Sequence, residues 1–111
     1  MTQEEKELLL KDLCARLPYG VICKSKSYRN ILFNSSHISL IESEEIKPYL
    51  RPLFSMTEDE KETYQMFFNE DGLLNTSIDT YLDWLLEEHF DFRGLISREL
   101  AVEAPENFYN N

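Results

Sequence analysis

The sequence predicts a single α+β domain in which a small antiparallel sheet packs against about three helices. Its 111 residues suit one compact domain and are too few for two. Apolar residues recur at helical spacing near the N-terminus and again in the second half, while short runs rich in Ile, Val and Phe lie between them. Because 42% of the residues are hydrophobic, the chain can form a core, and we expect residues 1–111 to fold as one domain.

The first element is a helix, predicted from Gln3 to Leu17. Thr2 and Glu5 have the spacing of a capping box, in which a hydroxyl and a carboxylate each bind a free backbone N–H at the helix start. Pro18 and Gly20 end the pattern. The apolar positions of this helix are Leu9, Leu10, Leu13, Cys14 and Leu17.

Three strands are expected next, in the runs VICKSKS, RNILFN and HISLIES. They are separated by Ser, Asn and Tyr-Arg-Asn clusters that are typical of turns. Three strands are the smallest number that we expect to be stable with one buried face, and such a sheet needs a helix over it. The predicted sheet is therefore an antiparallel meander of three or more strands, with an SH3-like curl as one option.

The segment KPYLRPLFSMTEDE has two interpretations. Pro48 and Pro52 exclude a helix, because each pushes the preceding residue toward extended backbone. The favoured interpretation is a stiff, partly buried crossing from the sheet to the next helix. The alternative is a surface loop that presents Lys47, Tyr49 and Arg51 to a partner.

Two more helices follow. The second begins at a capping box of Thr57 and Glu60, carries an aromatic stripe and is expected to stop at Asp71-Gly72. The third begins at Thr76 or Ser77 and has the clearest amphipathic pattern, and the segment LAVEAP after it is either a last strand or an extended tail. The aromatic stripe comprises Tyr64, Phe67 and Phe68, and the amphipathic pattern comprises Ile78, Tyr81, Leu82, Leu85, Leu86 and His89.

Charge is distributed unevenly along the chain. The formal net charge of −10 gives a surface that repels nucleic acid and anionic membranes. The first 56 residues carry eight Lys and Arg against seven Asp and Glu, whereas the remainder carries three against fourteen. The chain between Leu13 and Ile41 has basic but no acidic residues. We expect a molecule with two differently charged parts, negative charge outside and no polar cluster inside.

Targeting and catalytic signals are sparse. The N-terminus is acidic where a secretory signal would be basic, and no apolar run reaches the roughly 18 residues of a membrane span, so the expected location is the cytoplasm. Cys14 and Cys23 lie in apolar patterns, which favours buried free thiols over a disulfide. His37 and His89 belong to no spacing that builds a site, and a core or capping role is favoured for His89. We expect neither a metal nor a cofactor, and no enzyme activity.

Four segments stand out in order along most of the chain: KDLCARLPYGVICK, KPYLRPLFSMTEDEK, HFDFRGLI and LAVEAPENFY. They resemble signatures of a group of small proteins from Bacteroidetes-type bacteria and their mobile elements. The likeness is weaker in SYRNILFNSSHIS. The resemblance implies an intracellular, prophage-linked setting, and it supplies neither a mechanism nor a catalytic residue.

The remaining functional hypotheses concern binding. The first is a protein-interaction module in which the region of Lys24, Lys26 and Arg29, or the loop of Lys47, Tyr49 and Arg51, binds a partner protein. The second is an acidic inhibitor that imitates nucleic-acid phosphates and blocks a DNA-binding enzyme. A weak homodimer through the Trp84 face is a third hypothesis, and a small enzyme whose site the sequence does not reveal is a fourth. The acidic face of the second hypothesis comprises Glu58, Asp59, Glu62, Asp79, Asp83 and Glu87.

Overall fold

A computed structural model describes residues 1–27 and 29–109. In this part of the chain four α-helices and a four-stranded sheet form, which confirms the α+β prediction. Short 3₁₀ turns lie at Leu17–Tyr19, Ser35–His37 and Leu53–Ser55. The elements in chain order are α1 (Gln3–Arg16), β1 (Ile22–Ser25), β2 (Asn30–Leu32), α2 (Ser39–Glu42), β3 (Ile46–Leu50), α3 (Glu58–Met66), α4 (Ile78–Glu87) and β4 (Val102–Glu103).

The sheet is mixed, so the prediction of a purely antiparallel sheet is wrong. Its strand order is β2-β1-β3-β4, and β1 runs antiparallel to both β2 and β3. The last pair is parallel, with Tyr49 opposite Val102. Parallel neighbours need a long crossover, which residues 51–101 supply with α3 and α4.

The predicted third strand is wrong as well, because HISLIES forms a 3₁₀ turn and α2. Asn34 caps this turn by accepting a hydrogen bond from the Ser36 N–H at 2.9 Å, and His37 Nδ1 accepts one from the Asn34 N–H at 3.2 Å. The polar residues before the apolar run therefore start a helical segment rather than end a strand.

The place of the missing strand is taken by the segment interpreted as a crossing. β3 lies between β1 and β4 in the sheet, although Pro48 occupies its centre. Proline is rare in central strands, because it has no N–H to donate to a neighbour. Here Pro48 pairs with Cys23 of β1, and the ladder to β4 begins one residue later, at Tyr49.

The starts of the three predicted helices, which are α1, α3 and α4, agree with prediction. Both capping boxes form, with Thr2 and Glu5 at α1 and Thr57 and Glu60 at α3, and Ser77 caps α4. The first helix ends at Arg16, one residue before the predicted end. The second predicted helix, which is α3, ends at Met66, before the predicted stop at Asp71-Gly72.

The core lies between α1 and one face of the sheet. Leu9 and Leu13 of α1 contribute to it, together with Cys23, Ile46 and Leu50 from the strands. Cys23 is buried, which raises its pKa to about 12, whereas Cys14 is exposed. The prediction of a buried thiol is therefore confirmed for Cys23 and wrong for Cys14.

A charged cluster lies inside the domain, contrary to expectation. Asp12 and Arg16 are both 0% exposed, and Arg16 Nε donates to the Asp12 carboxylate at 2.7 Å. Arg93 Nε donates to the same carboxylate at 3.0 Å, and Arg16 also donates to the Phe90 carbonyl at 2.8 Å. The cluster ties α1 to the segment after α4.

Candidate functional site

Three of the six residues predicted to bind a partner lie together on the outer face of the sheet. Lys24 of β1 and Lys47 of β3 are directly opposite each other, and both are exposed. With Lys26 they line a cavity of about 360 Å³, and we call these three residues the lysine surface. The other residues around the cavity are Ser25, Glu44, Glu45 and Val102.

The lysine surface carries three positive charges, and the two carboxylates that line the same cavity, Glu44 and Glu45, form no direct ion pair with them. Among the residues that the structure describes, no carboxylate lies within 4.0 Å of any of its three ammonium groups. Glu44, at the rim, is engaged by the N-terminal ammonium at 2.7 Å. This contact, with smaller contributions from Lys6 and Lys26, lowers the pKa of Glu44. Since like charges directly opposite in a sheet repel, the two strands gain no stability from the pairing of Lys24 with Lys47.

Arg29 is exposed on the hairpin that carries two of these lysines. Its carbonyl accepts hydrogen bonds from the N–H and the hydroxyl of Ser25, at 3.0 and 2.9 Å. The backbone of the hairpin is thereby held in place, and the exposed Arg29 adds a third positive charge to this hairpin.

Tyr49 and Arg51 are used within the fold. The Tyr49 ring lies 4.5 Å from that of Phe108, and its carbonyl accepts a hydrogen bond from the Tyr109 hydroxyl at 2.7 Å. Arg51 binds the Glu60 carboxylate through two nitrogens, at 2.6 and 2.8 Å, and this contact lowers the pKa of Glu60. The predicted binding segment is thus divided, with Lys47 facing the cavity and these two residues joining parts of the chain.

His89 lies between the core and the C-terminal segment. Its ring stacks on Tyr109 with centroids 3.6 Å apart, and its φ of 65° places it in the left-handed region just after α4. Burial, with the nearby charges of Arg16 and Arg51, lowers the pKa of His89 to about 4. This environment suits a neutral, packed imidazole and agrees with the predicted core or capping role.

One long region of the chain contributes no residue to the buried core. No residue from 51 to 84, a range that the structure describes completely, is buried. The radius of gyration of 14.7 Å exceeds the about 13 Å expected for a compact domain of this length, and the longest extent is 46 Å. We call residues 58–84, comprising α3, the connecting loop and most of α4, the helical arm.

The sequence did not reveal the exposure of the helical arm. The predicted aromatic stripe at the end of α3 contacts α4, with the Phe67 ring 5.5 Å from both Tyr81 and Trp84. Met66, Leu73 and Ile78 nevertheless remain 76%, 63% and 55% exposed. A periodic pattern indicates which residues share a helix face, but it does not show whether another element covers that face.

The described residues contain no group of three metal-ligating side chains, and no helix in that part of the chain is long and apolar enough to cross a membrane. A scan of protein-family models and searches of curated proteins and of solved structures found no match to this chain.

Proposed function

We propose that this protein is a cytoplasmic protein-interaction module whose lysine surface binds an acidic segment of another protein. The observation that carries the proposal is the pairing of Lys24 with Lys47 beside Lys26, around a cavity in which none of the three forms an ion pair with a described residue. The net charge of −10 makes such a cluster conspicuous, because the second half of the chain carries fourteen acidic against three basic residues.

Complementary charge accounts for both binding and orientation. An acidic segment is repelled by the acidic second half of the chain and attracted to the lysine surface, which steers its approach. Val102 lines the same cavity and offers an apolar contact, and the alkyl stems of the lysines offer others. Arg29, on the adjoining hairpin, would add a charge contact with a longer segment.

The test is binding of a fluorescent acidic peptide, rich in Glu with interspersed Leu, measured by anisotropy at several salt concentrations. We expect Lys24→Glu and Lys47→Glu each to weaken binding at least tenfold. Both variants should keep the stability of the fold, because each replaces a repulsive pair by an attractive one. Lys11→Glu, on an exposed position of α1, makes the same change of net charge and is the matched control.

If Lys11→Glu weakens binding as much as Lys24→Glu does, net charge rather than this surface controls the interaction and the proposal is wrong. Failure of the wild-type protein to bind the peptide at low salt would also refute it.

A further inference from the structure

We propose that the helical arm is a second docking surface, of opposite charge, which binds a basic protein segment with interspersed apolar side chains. Ten apolar or aromatic residues occur in the arm, and the structure, which describes this whole range, buries none of them. They are Tyr64, Met66, Phe67, Phe68, Leu73, Leu74, Ile78, Tyr81, Leu82 and Trp84. Three of them, Met66, Leu73 and Ile78, are more than half exposed and the other seven are half-buried. Exposed apolar surface beside polar residues is typical of protein-interaction sites.

The arm has a defined structure despite its exposure. At the start of α3, Glu60 takes part in the capping box and binds Arg51, the residue that follows β3. At the other end of α3, the rings of Phe67 and Phe68 each lie 5.5 Å from Tyr81 of α4. The aromatic rings therefore join the two helices, and a partner would meet a preformed surface.

The exposed apolar residues belong to one end of the arm. Met66 ends α3, Leu73 lies in the connecting loop and Ile78 begins α4. The loop is held by backbone hydrogen bonds from Asn69 N–H to Leu73 O and from Asn75 N–H to Phe67 O, both 2.8 Å long. Because the opposite end of α4 enters the core at Leu85, chain connectivity places these three residues at the end of the arm away from the core. We call them the distal patch.

The negative charge of the helical arm favours a basic partner. The arm carries eight carboxylates and one lysine, and Glu70, Asp71 and Asp79 accompany the distal patch. A second copy docking through the same surface would bring these carboxylates together, and an anionic membrane would repel them. A segment with Lys or Arg around Leu-type side chains satisfies both the apolar residues and the surrounding charge.

Trp84 is the single tryptophan of the chain and lies in the arm, so its fluorescence can report binding. The probes are three helical peptides of equal length, one of Lys and Leu, one of Lys and Ser, and one of Glu and Leu. We expect the Lys/Leu peptide to bind at least tenfold more tightly than the Lys/Ser peptide. The Glu/Leu peptide should leave the fluorescence of Trp84 unchanged.

Matched variants locate the interaction. Leu73→Ser removes a 63% exposed leucine from the distal patch, and Leu32→Ser removes a 61% exposed leucine from the sheet. We expect at least a fivefold loss of Lys/Leu affinity for the first and no change for the second, with unaltered circular dichroism for both. Lys24→Glu should leave this affinity unchanged or raised, so the outcome is separable from the test of the lysine surface.

Three results would overturn the proposal. Equal affinity for the Lys/Ser peptide would mean that the arm acts by charge alone, as a phosphate mimic would. Equal losses for Leu73→Ser and Leu32→Ser would mean that binding is not at the distal patch. A dimer in light scattering that Leu73→Ser dissociates would identify a second copy of the chain as the occupant.

Discussion

Removing the carboxylate of Asp12 tests how the charged cluster holds the domain together. This carboxylate accepts hydrogen bonds from Arg16 at 2.7 and 3.1 Å and from Arg93 at 3.0 Å. Arg16 is fully buried, and its second terminal nitrogen has no hydrogen-bond partner among the described residues. Asp12→Ala would therefore leave a buried guanidinium without a counter-charge and with a larger unsatisfied hydrogen-bonding capacity.

The expected cost is large for a domain of this size. Breaking a buried ion pair by removing one partner costs about 3 to 5 kcal/mol. A chain of this length has a free energy of unfolding of roughly 5 to 15 kcal/mol. With a shift of about 4 °C in Tm per kcal/mol, Asp12→Ala should lower the Tm by roughly 12 to 20 °C.

The double variant Asp12→Leu/Arg16→Met distinguishes the lost ion pair from lost packing. It replaces both charged groups by apolar side chains that favour helices, so no charge of the pair stays buried. We expect its free energy of unfolding to lie within about 2 kcal/mol of the wild type, well above that of Asp12→Ala. Arg93 is 20% exposed and can turn toward solvent.

Urea unfolding, followed by Trp84 fluorescence and circular dichroism, measures these free energies for the single and double variants. The reasoning is refuted if Asp12→Ala costs less than about 1 kcal/mol, the value of an ordinary surface pair. It is equally refuted if the double variant loses as much free energy of unfolding as Asp12→Leu and Arg16→Met lose together when each is made alone, because the two side chains would then act independently.

Three further predictions concern single residues. Arg51→Lys should lower the free energy of unfolding by about 1 to 2 kcal/mol, because lysine cannot bind Glu60 through two nitrogens. Between pH 7 and pH 5 the free energy of unfolding should fall by about 1 to 2 kcal/mol, after allowance for solvent screening. The pKa of His89 is about 4 in the folded protein and about 6.5 in the unfolded chain. In this pH range His89 therefore gains a proton only in the unfolded chain, which favours unfolding. In the native protein a thiol reagent should modify Cys14 rapidly and leave Cys23 unmodified. Cys23 should react only after unfolding.

Each has a control. Arg98→Lys changes an exposed arginine and should leave the free energy of unfolding unchanged, and an equal effect from both substitutions would contradict the role of Arg51. His89→Asn tolerates the left-handed backbone and does not titrate, so it should flatten the pH dependence between 7 and 5; an unchanged slope would assign that dependence to other groups. Equal reaction rates of Cys14 and Cys23 in the native state would contradict the burial of Cys23.

The beginnings of the helices were predictable because they depend on neighbouring residues. The capping boxes at Thr2 and Thr57 each join a hydroxyl to a carboxylate three residues later, within one helical turn. The Ser77 cap of α4 follows the same rule. Such interactions depend on residues within one turn, so the sequence can indicate them, although the cap formed by Asn34 and His37 was missed.

The strands were less predictable, since a strand is stabilised by partners that are distant in sequence. HISLIES has the composition of a strand, but the capping hydrogen bonds of Asn34 and His37 make it helical. The segment around Pro48 looks unsuited to a central strand, yet β1 pairs with it on one side and β4 begins just past the proline on the other. The first outcome depended on local capping that the composition of the run concealed, and the second on strands that are distant in the sequence.

The sequence by itself determined the α+β class, the starts of α1, α3 and α4 and the concentration of acidic residues in the second half, because these follow from composition and from contacts within a turn. Only the tertiary structure decided that Lys24 and Lys47 face each other, that Arg51 is used internally and that the helical arm is uncovered. The physical reason is that cross-strand register and burial depend on residues far apart in the chain, whose proximity exists only after folding.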